Sequence, residues 1–166
     1  MHRHASHSVG YQTMSHPKVL IVEDDAAIRA LLVAALKREP LEVHVAVDGL
    51  EALECVRANN YAVILLDLMM PRVSGYEFLA AYGELPHTGI KPVVFVMTAF
   101  DASMVRKLGS TTVHAIVSKP FNVEQVVEMV RDCANVHQQH TAKQDGAGDA
   151  RSAAPPLDGT SNEAAC

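Results

Sequence analysis

The chain has 166 residues, 49% hydrophobic and 20% charged, which fits one domain with a core of its own and some unstructured sequence. Its three cysteines are widely spaced and include no Cys-x-x-Cys pair, which argues against a disulfide-stabilised miniprotein or a zinc site. The formal net charge is -5 and the 14 basic residues are scattered along the chain, so we expect no binding to nucleic acid.

The first segment in chain order, residues 1–16, is polar and contains four of the nine histidines. It shows no hydrophobic periodicity, so we expect a disordered, histidine-rich extension rather than a signal peptide. No apolar run in the chain reaches the roughly 18 to 20 residues that a membrane span requires. These features predict a cytoplasmic protein that does not enter a membrane.

Five short apolar runs follow, separated by segments of helical periodicity. They are predicted to be β-strands at 18–22, 42–47, 62–66, 92–97 and 113–117. The first, third and fourth runs are apolar throughout, as strands in the buried centre of a parallel sheet are. Glu42 and His44 give the second run the polar alternation of an edge strand.

A helix is predicted after each strand. Asp25 is the expected N-cap of the first helix, while Asp48 and Asn122 open the second and the last with Glu or Gln three residues later. The third and fourth helices are expected at about 75–82 and 102–108. Because parallel strands need crossover connections, the alternation predicts a three-layer α/β sandwich with helices on both faces of one sheet.

The last segment, residues 138–166, is rich in Ala, Gly, Asp and Pro and poor in large aliphatic side chains. We expect it to be a disordered tail. The predicted folded domain therefore covers residues 17–137.

Polar residues follow four of the five predicted strands. In open α/β sheets, ligands bind outside the carboxyl ends of the strands, where the strand order reverses. A flavodoxin-like (βα)5 fold, with a parallel five-stranded sheet in the order 2-1-3-4-5, puts strands 1 and 3 side by side at that point. Glu23, Asp24 and Asp67 would then share one pocket, with Thr98 and Lys119 at the ends of the next two strands.

Carboxylates that lie this close together either bind protons or hold a cation. Oxygen ligands without His or Cys favour Mg²⁺. Such a metal would let a phosphoryl group approach Asp67 as a nucleophile. Lys119 and the Thr98 hydroxyl are suited to receive the phosphoryl oxygens.

These motifs make residues 17–136 similar to the receiver domain of two-component response regulators. The similarity lies in the stretches Val-Leu-Ile-Val-Glu-Asp-Asp, Leu-Leu-Asp-Leu-Met-Met-Pro-Arg-Val-Ser-Gly, Val-Met-Thr-Ala and Ser-Lys-Pro-Phe. The resemblance implies that Asp67 accepts a phosphoryl group from a phosphohistidine of a histidine kinase or phosphotransfer protein. It also implies Mg²⁺ bound by Glu23, Asp24, Asp67 and the backbone carbonyl of Met69.

The resemblance further implies that Thr98 contacts the phosphoryl group and moves on activation. Lys119 would pair with the same group, ahead of a usually cis peptide bond to Pro120. Three residues before this lysine the family usually has Tyr or Phe, whereas this chain has Ile116. The aromatic switch of the family is therefore absent or altered here.

The sequence predicts a stand-alone response regulator, monomeric or weakly dimeric, that signals by contact with an unknown downstream protein. It would not be a conventional enzyme, although it would catalyse two reactions on itself. These are its own phosphorylation on Asp67 and a slow dephosphorylation of the same residue. The alternative is a receiver-shaped adaptor that acts without phosphorylation, for which Ile116 is the best support. A hydrolase of the haloacid dehalogenase type is disfavoured, because that pattern has a second aspartate where Met69 stands.

Overall fold

A computed structural model of the chain describes residues 16–86, 89–99 and 113–147, the last six as backbone only. The predicted helix at 102–108 and most of the two predicted disordered ends lie outside the described residues. The elements in chain order are β1 (Lys18–Val22), α1 (Ala26–Leu36), β2 (Glu42–Ala46), α2 (Gly49–Ala58), β3 (Val63–Asp67), α3 (Gly75–Gly83), β4 (Val93–Thr98), β5 (Val113–Ser118) and α4 (Val123–Ala147).

The five strands form one parallel sheet in the order β2-β1-β3-β4-β5, which confirms the predicted fold. β1 lies between β2 and β3, and Val22 pairs with Ala46 on one side and Leu66 on the other. The residues that follow Val22 and Leu66 are Glu23 and Asp67. The register of the sheet therefore brings these two acids to neighbouring positions at its carboxyl edge.

Both faces of the sheet are covered by helices, because successive side chains of a strand point to opposite faces. Leu20 and Leu66 belong to a buried cluster that includes Phe78 of α3 and side chains of α2. Ile21 and Leu65 belong to a second buried cluster, with side chains of α1 and α4. The predicted three-layer architecture is confirmed, and the apolar strands are buried on both sides.

Polar side chains mark where the helices begin. Asp25, Asp48 and Asn122 each accept a hydrogen bond from a backbone amide in the first turn of the helix they precede, as predicted. Ser74, which was not predicted as a cap, forms a capping box with Glu77 at the start of α3. The start of α3, just behind Asp67, is thus fixed by local hydrogen bonds.

Helix α4 extends further than expected. The composition predicts that the folded part ends at residue 137, whereas α4 continues to Ala147. The Nε2 atom of His137 lies 3.3 Å from the Ile90 carbonyl oxygen, and the Thr141 hydroxyl donates to the His137 carbonyl at 3.0 Å. The extension has no apolar face from which a period could be read.

Among the described residues, no helix combines the length and apolar character needed to cross a bilayer.

Candidate functional site

Three acidic side chains predicted to form a site lie together at the carboxyl edge of the sheet. Glu23, Asp24 and Asp67 each offer a carboxylate oxygen, and these oxygens lie within 4.8 Å of one another. Glu23 is fully buried and Asp67 is 6% exposed, whereas Asp24 is exposed. We call this group the acidic pocket; it is reached from solvent on the side of Asp24.

Lys119 offsets part of the negative charge of the acidic pocket. Its Nζ atom lies 2.6 Å from Asp67 Oδ2 and 2.8 Å from Glu23 Oε2. With all three carboxylates ionised, the single ammonium group would leave two negative charges, which a divalent cation would balance. The donors are all carboxylate oxygens, the ligands that Mg²⁺ prefers, so the residues present fit this ion.

Burial and neighbouring charges shift the proton affinities of the pocket. Burial raises the pKa of Glu23, and the charge of Asp67 raises it further, although the hydrogen bond from Lys119 opposes the rise. Burial lowers the pKa of Lys119, but its hydrogen bonds to Asp67 and Glu23 outweigh that effect and leave the pKa above its ordinary value. Lys119 therefore keeps its charge at neutral pH.

Thr98 and Lys119 are connected through the backbone. Thr98 is buried at the end of β4, one residue beyond the position that pairs with Asp67, and its carbonyl accepts a hydrogen bond from the Lys119 amide at 2.7 Å. The peptide bond between Lys119 and Pro120 is cis. Ile116 is half-buried against the core cluster on the α2 and α3 face. The structure thus places all four side chains, Glu23, Asp67, Thr98 and Lys119, on adjacent strand ends.

The segment directly after Asp67 also contacts its carboxylate. The Met69 amide donates to Asp67 Oδ1 at 3.0 Å, so each oxygen of Asp67 has a polar partner. The Met69 side chain is 54% exposed. The expectation that the Met69 carbonyl binds a metal stays a prediction, because the hydrogen bond described here involves the amide.

Two further residues shape the pocket: Gly75, which ends the stretch around Asp67 that resembles the receiver family, and Arg29. The Arg29 Nη1 atom donates to the carbonyls of Glu23 at 2.7 Å and Asp24 at 3.1 Å, which fixes the turn after β1. A Cβ on Gly75 would collide with the carbonyl oxygen of Asp67, so only glycine lets the start of α3 approach so closely. Arg29 gives no signal in the sequence, because its targets are backbone atoms.

The parallel five-stranded sheet, the acidic pocket and the lysine at its carboxyl edge fit the receiver class that the sequence resembles, and the comparisons with known proteins agree. Residues 19–131 match the family described as "Response regulator receiver domain". The chain belongs to this family of two-component response regulators.

The relatives that the chain matches include longer proteins. The transcriptional regulatory protein SrrA of Staphylococcus aureus is 36% identical over 127 residues, which cover 76% of this chain and 52% of SrrA. The chain spans about half the length of the curated relatives it matches. The expectation that it acts as a stand-alone regulator therefore stays a prediction.

Solved receiver structures share the fold. The Francisella response regulator 1452 receiver domain superposes with a TM-score of 0.65 at 27% identity, covering 72% of this chain and 98% of that one. The Vibrio cholerae chemotaxis protein CheY4 gives a TM-score of 0.60 at 26% identity, covering 71% and 98% of the two chains. Both likenesses cover nearly all of the other chain and support the fold and the family.

Proposed function

We propose that the chain is a phosphorylatable receiver in a two-component phosphorelay and that Asp67 is its phosphoacceptor. The observation that carries the proposal is the contact between Lys119 Nζ and Asp67 Oδ2, at 2.6 Å, beside two further carboxylates. Removing several charged groups from water can cost a domain more free energy than their mutual attraction returns. A buried charged cluster in a small domain therefore favours a chemical role over a stabilising one. The proposed donor is a phosphohistidine of a histidine kinase or a phosphotransfer protein.

In the proposed reaction, an oxygen of Asp67 attacks the phosphorus of the phosphohistidine. A phosphorus–oxygen bond forms, the phosphorus–nitrogen bond breaks, and the imidazole leaves with its electron pair and takes up a proton. Lys119 keeps its charge near neutral pH and can move its pairing from the carboxylate to a phosphoryl oxygen. Thr98, at the next strand end, is proposed to contact a second phosphoryl oxygen.

The proposed magnesium ligands are the carboxylates of Glu23, Asp24 and Asp67 and the backbone carbonyl of Met69. When bound, Mg²⁺ neutralises the charge that the phosphoryl group brings into the pocket. The Arg29 hydrogen bonds to the Glu23 and Asp24 carbonyls support this role, because they hold two of the proposed ligands in place.

A small phosphodonor tests the proposal. Incubation with acetyl phosphate and Mg²⁺ should add one phosphate to the wild type, seen by intact-protein mass spectrometry, and Asp67→Asn should add none. Asp25→Asn is the matched control, because its exposed side chain caps α1 from the same turn and an amide oxygen can still accept those hydrogen bonds. A wild type that takes no phosphate from acetyl phosphate or from a phosphotransfer protein would rule out the phosphoacceptor role.

The second candidate function is an adaptor that binds its partner without phosphorylation. Ile116 supports it, because an aliphatic side chain packed against the core replaces the ring expected there. If the chain is such an adaptor, the wild type and Asp67→Asn should bind the same downstream protein with equal affinity.

A further inference from the structure

The segment that links Asp67 to α3, residues 68–74, is pressed against the first turn of α2. The Gly49 amide donates to the Val73 carbonyl at 2.9 Å. A Cβ on Gly49 would lie 2.6 Å from Cγ1 of Val73 and 2.8 Å from its carbonyl oxygen, so the two backbones touch here. The segment next to the phosphoacceptor therefore packs on a helix that supplies none of the acidic-pocket residues.

A charged contact joins the same two elements. Arg72 has a φ of 65°, in the left-handed region that is unfavourable for a residue with a side chain. Its guanidinium contacts Asp48 Oδ2 and lies 3.9 Å from Glu51 Oε1. Asp48 is fully buried, and its Oδ2 atom makes no hydrogen bond within the described part of the chain. Arg72 is therefore the positive charge that balances a buried carboxylate.

We infer that the Arg72–Asp48 ion pair is a positioning device for the phosphoacceptor, which holds residues 68–74 in the conformation that sets Met69 against Asp67. The inference rests on the proposed function, because it concerns the same aspartate. Met69 lies three residues before Arg72, and its amide donates to Asp67 Oδ1 at 3.0 Å. Its carbonyl is a proposed metal ligand, so a shift of this segment would weaken Mg²⁺ binding.

Both ends of the segment are anchored independently of Arg72. The Gly75 amide donates to the Leu68 carbonyl at 3.1 Å, and the Ser74–Glu77 capping box fixes the start of α3. With both ends fixed, loss of the ion pair should loosen the residues between them while the fold persists. The expected consequence is weaker metal binding and not loss of the domain.

The test compares variants that remove each charge of the pair. Arg72→Gln removes the cation, and Asp48→Asn removes the anion but keeps the oxygen that caps the Glu51 amide. Each should raise the Mg²⁺ dissociation constant, measured by calorimetry, by about tenfold, the lower end of the range for groups that support metal ligands. The double variant should do no more than either single one, because the pair acts as a unit.

Two further variants separate positioning from general effects. Arg72→Lys keeps the positive charge and should bring the affinity back towards that of the wild type. Arg57→Gln changes the same charge on an exposed side chain in the last turn of α2 and should leave Mg²⁺ affinity unchanged. The amide resonance of Met69, followed by NMR, should move in Arg72→Gln and stay in place in Arg57→Gln.

The outcomes distinguish this inference from the proposed function. Wild-type Mg²⁺ affinity in both Arg72→Gln and Asp48→Asn would overturn it, even with a lower melting temperature, because a purely structural pair would change stability alone. Additive losses in the double variant would overturn it as well. If the wild type binds Mg²⁺ but takes no phosphate, the phosphoacceptor role fails while the affinity series still decides on the ion pair. A wild type that binds no Mg²⁺ would overturn both.

Discussion

The two ends of the β-sheet handle charge in opposite ways. At the carboxyl end, Glu23 and Asp67 are buried beside Lys119, whose side chain is only 16% exposed. At the amino end, Lys18 and Glu42 form an ion pair whose side chains are 33% and 46% exposed. Exposed pairs contribute little to stability, and buried charges cost much when they lose a partner. The ion pair at the amino end is therefore exposed, whereas the charged groups at the carboxyl end are buried.

The amino end satisfies its buried polar group without a buried charge. The hydroxyl of Tyr61, a residue that is 2% exposed, lies 2.7 Å from Nδ1 of His44, whose Nε2 lies 2.8 Å from a Glu42 carboxylate oxygen. Burial raises the pKa of Tyr61, so its hydroxyl stays protonated. Since a carboxylate only accepts, the imidazole donates from Nε2 to Glu42, and its Nδ1 shares the second hydrogen bond with the tyrosine hydroxyl. Hydrogen bonds thus satisfy the buried group at this end, whereas the carboxyl end holds the buried charges on which the proposed phosphoryl transfer depends.

Among the substitutions that compare the two ends of the sheet, removal of Lys119 should lower the free energy of unfolding most. In Lys119→Met without metal, Glu23 and Asp67 lose their shared cation, and we expect the free energy of unfolding to fall by about 3 kcal/mol in urea denaturation. Added Mg²⁺ should restore part of the loss, because it supplies positive charge to the same carboxylates.

Lys91→Met provides the matched control at the opposite end of the sheet, since Lys91 is exposed just before β4. It should change the free energy of unfolding little, with or without Mg²⁺. A Lys119→Met variant as stable as the wild type without Mg²⁺ would contradict the idea that the carboxyl end carries a balanced charge cluster.

Replacing Tyr61 should have an intermediate effect that is confined to stability. Tyr61→Phe loses the hydrogen bond to His44 while keeping the buried ring, which should lower the free energy of unfolding by about 1 kcal/mol. The rate of phosphorylation from acetyl phosphate should equal that of the wild type. A slower rate would show that the two ends of the sheet are coupled and that the contrast is too simple.

The smallest effect is expected from the capping box behind the pocket. Hydrogen bonds from the Ser74 amide and hydroxyl hold the pKa of Glu77 below its ordinary value of 4.5. Because the folded-state pKa is depressed, the stabilisation is present above about pH 4.5 and is lost as the pH falls through the folded-state value.

Urea midpoints measured from about pH 7 down to about pH 3 test this. The acid-dependent loss of stability should be shallower in Glu77→Gln than in the wild type. Glu54→Gln, which changes an exposed glutamate of α2, should keep the wild-type profile. Identical profiles for Glu77→Gln and the wild type would show that the capping box does not favour the ionised carboxylate.

Much of the fold could be predicted because its signals are local. Short apolar or alternating runs predicted both ends of every strand to within one residue. Helix starts were marked by Asp25, Asp48 and Asn122, through contacts within one turn. The extension of α4 to Ala147 was missed, since helix propensity without an apolar face leaves no period to detect. Ser74 was missed although the Glu three residues later is a recognised capping signal.

The apolar runs and helical periods of the chain were enough to predict the alternation of strands and helices. With that alternation came the placement of Glu23, Asp24, Asp67 and Lys119 at strand ends. The contact of Lys119 Nζ with two carboxylates, and the contacts of Arg29 and Arg72 with the neighbouring loops, became visible in the folded chain alone. The physical reason is range: periodicity and capping act over a few residues, whereas these contacts depend on how separate elements pack. Arg72 and the buried Asp48 meet because α2 and the segment after Asp67 lie side by side in the folded chain.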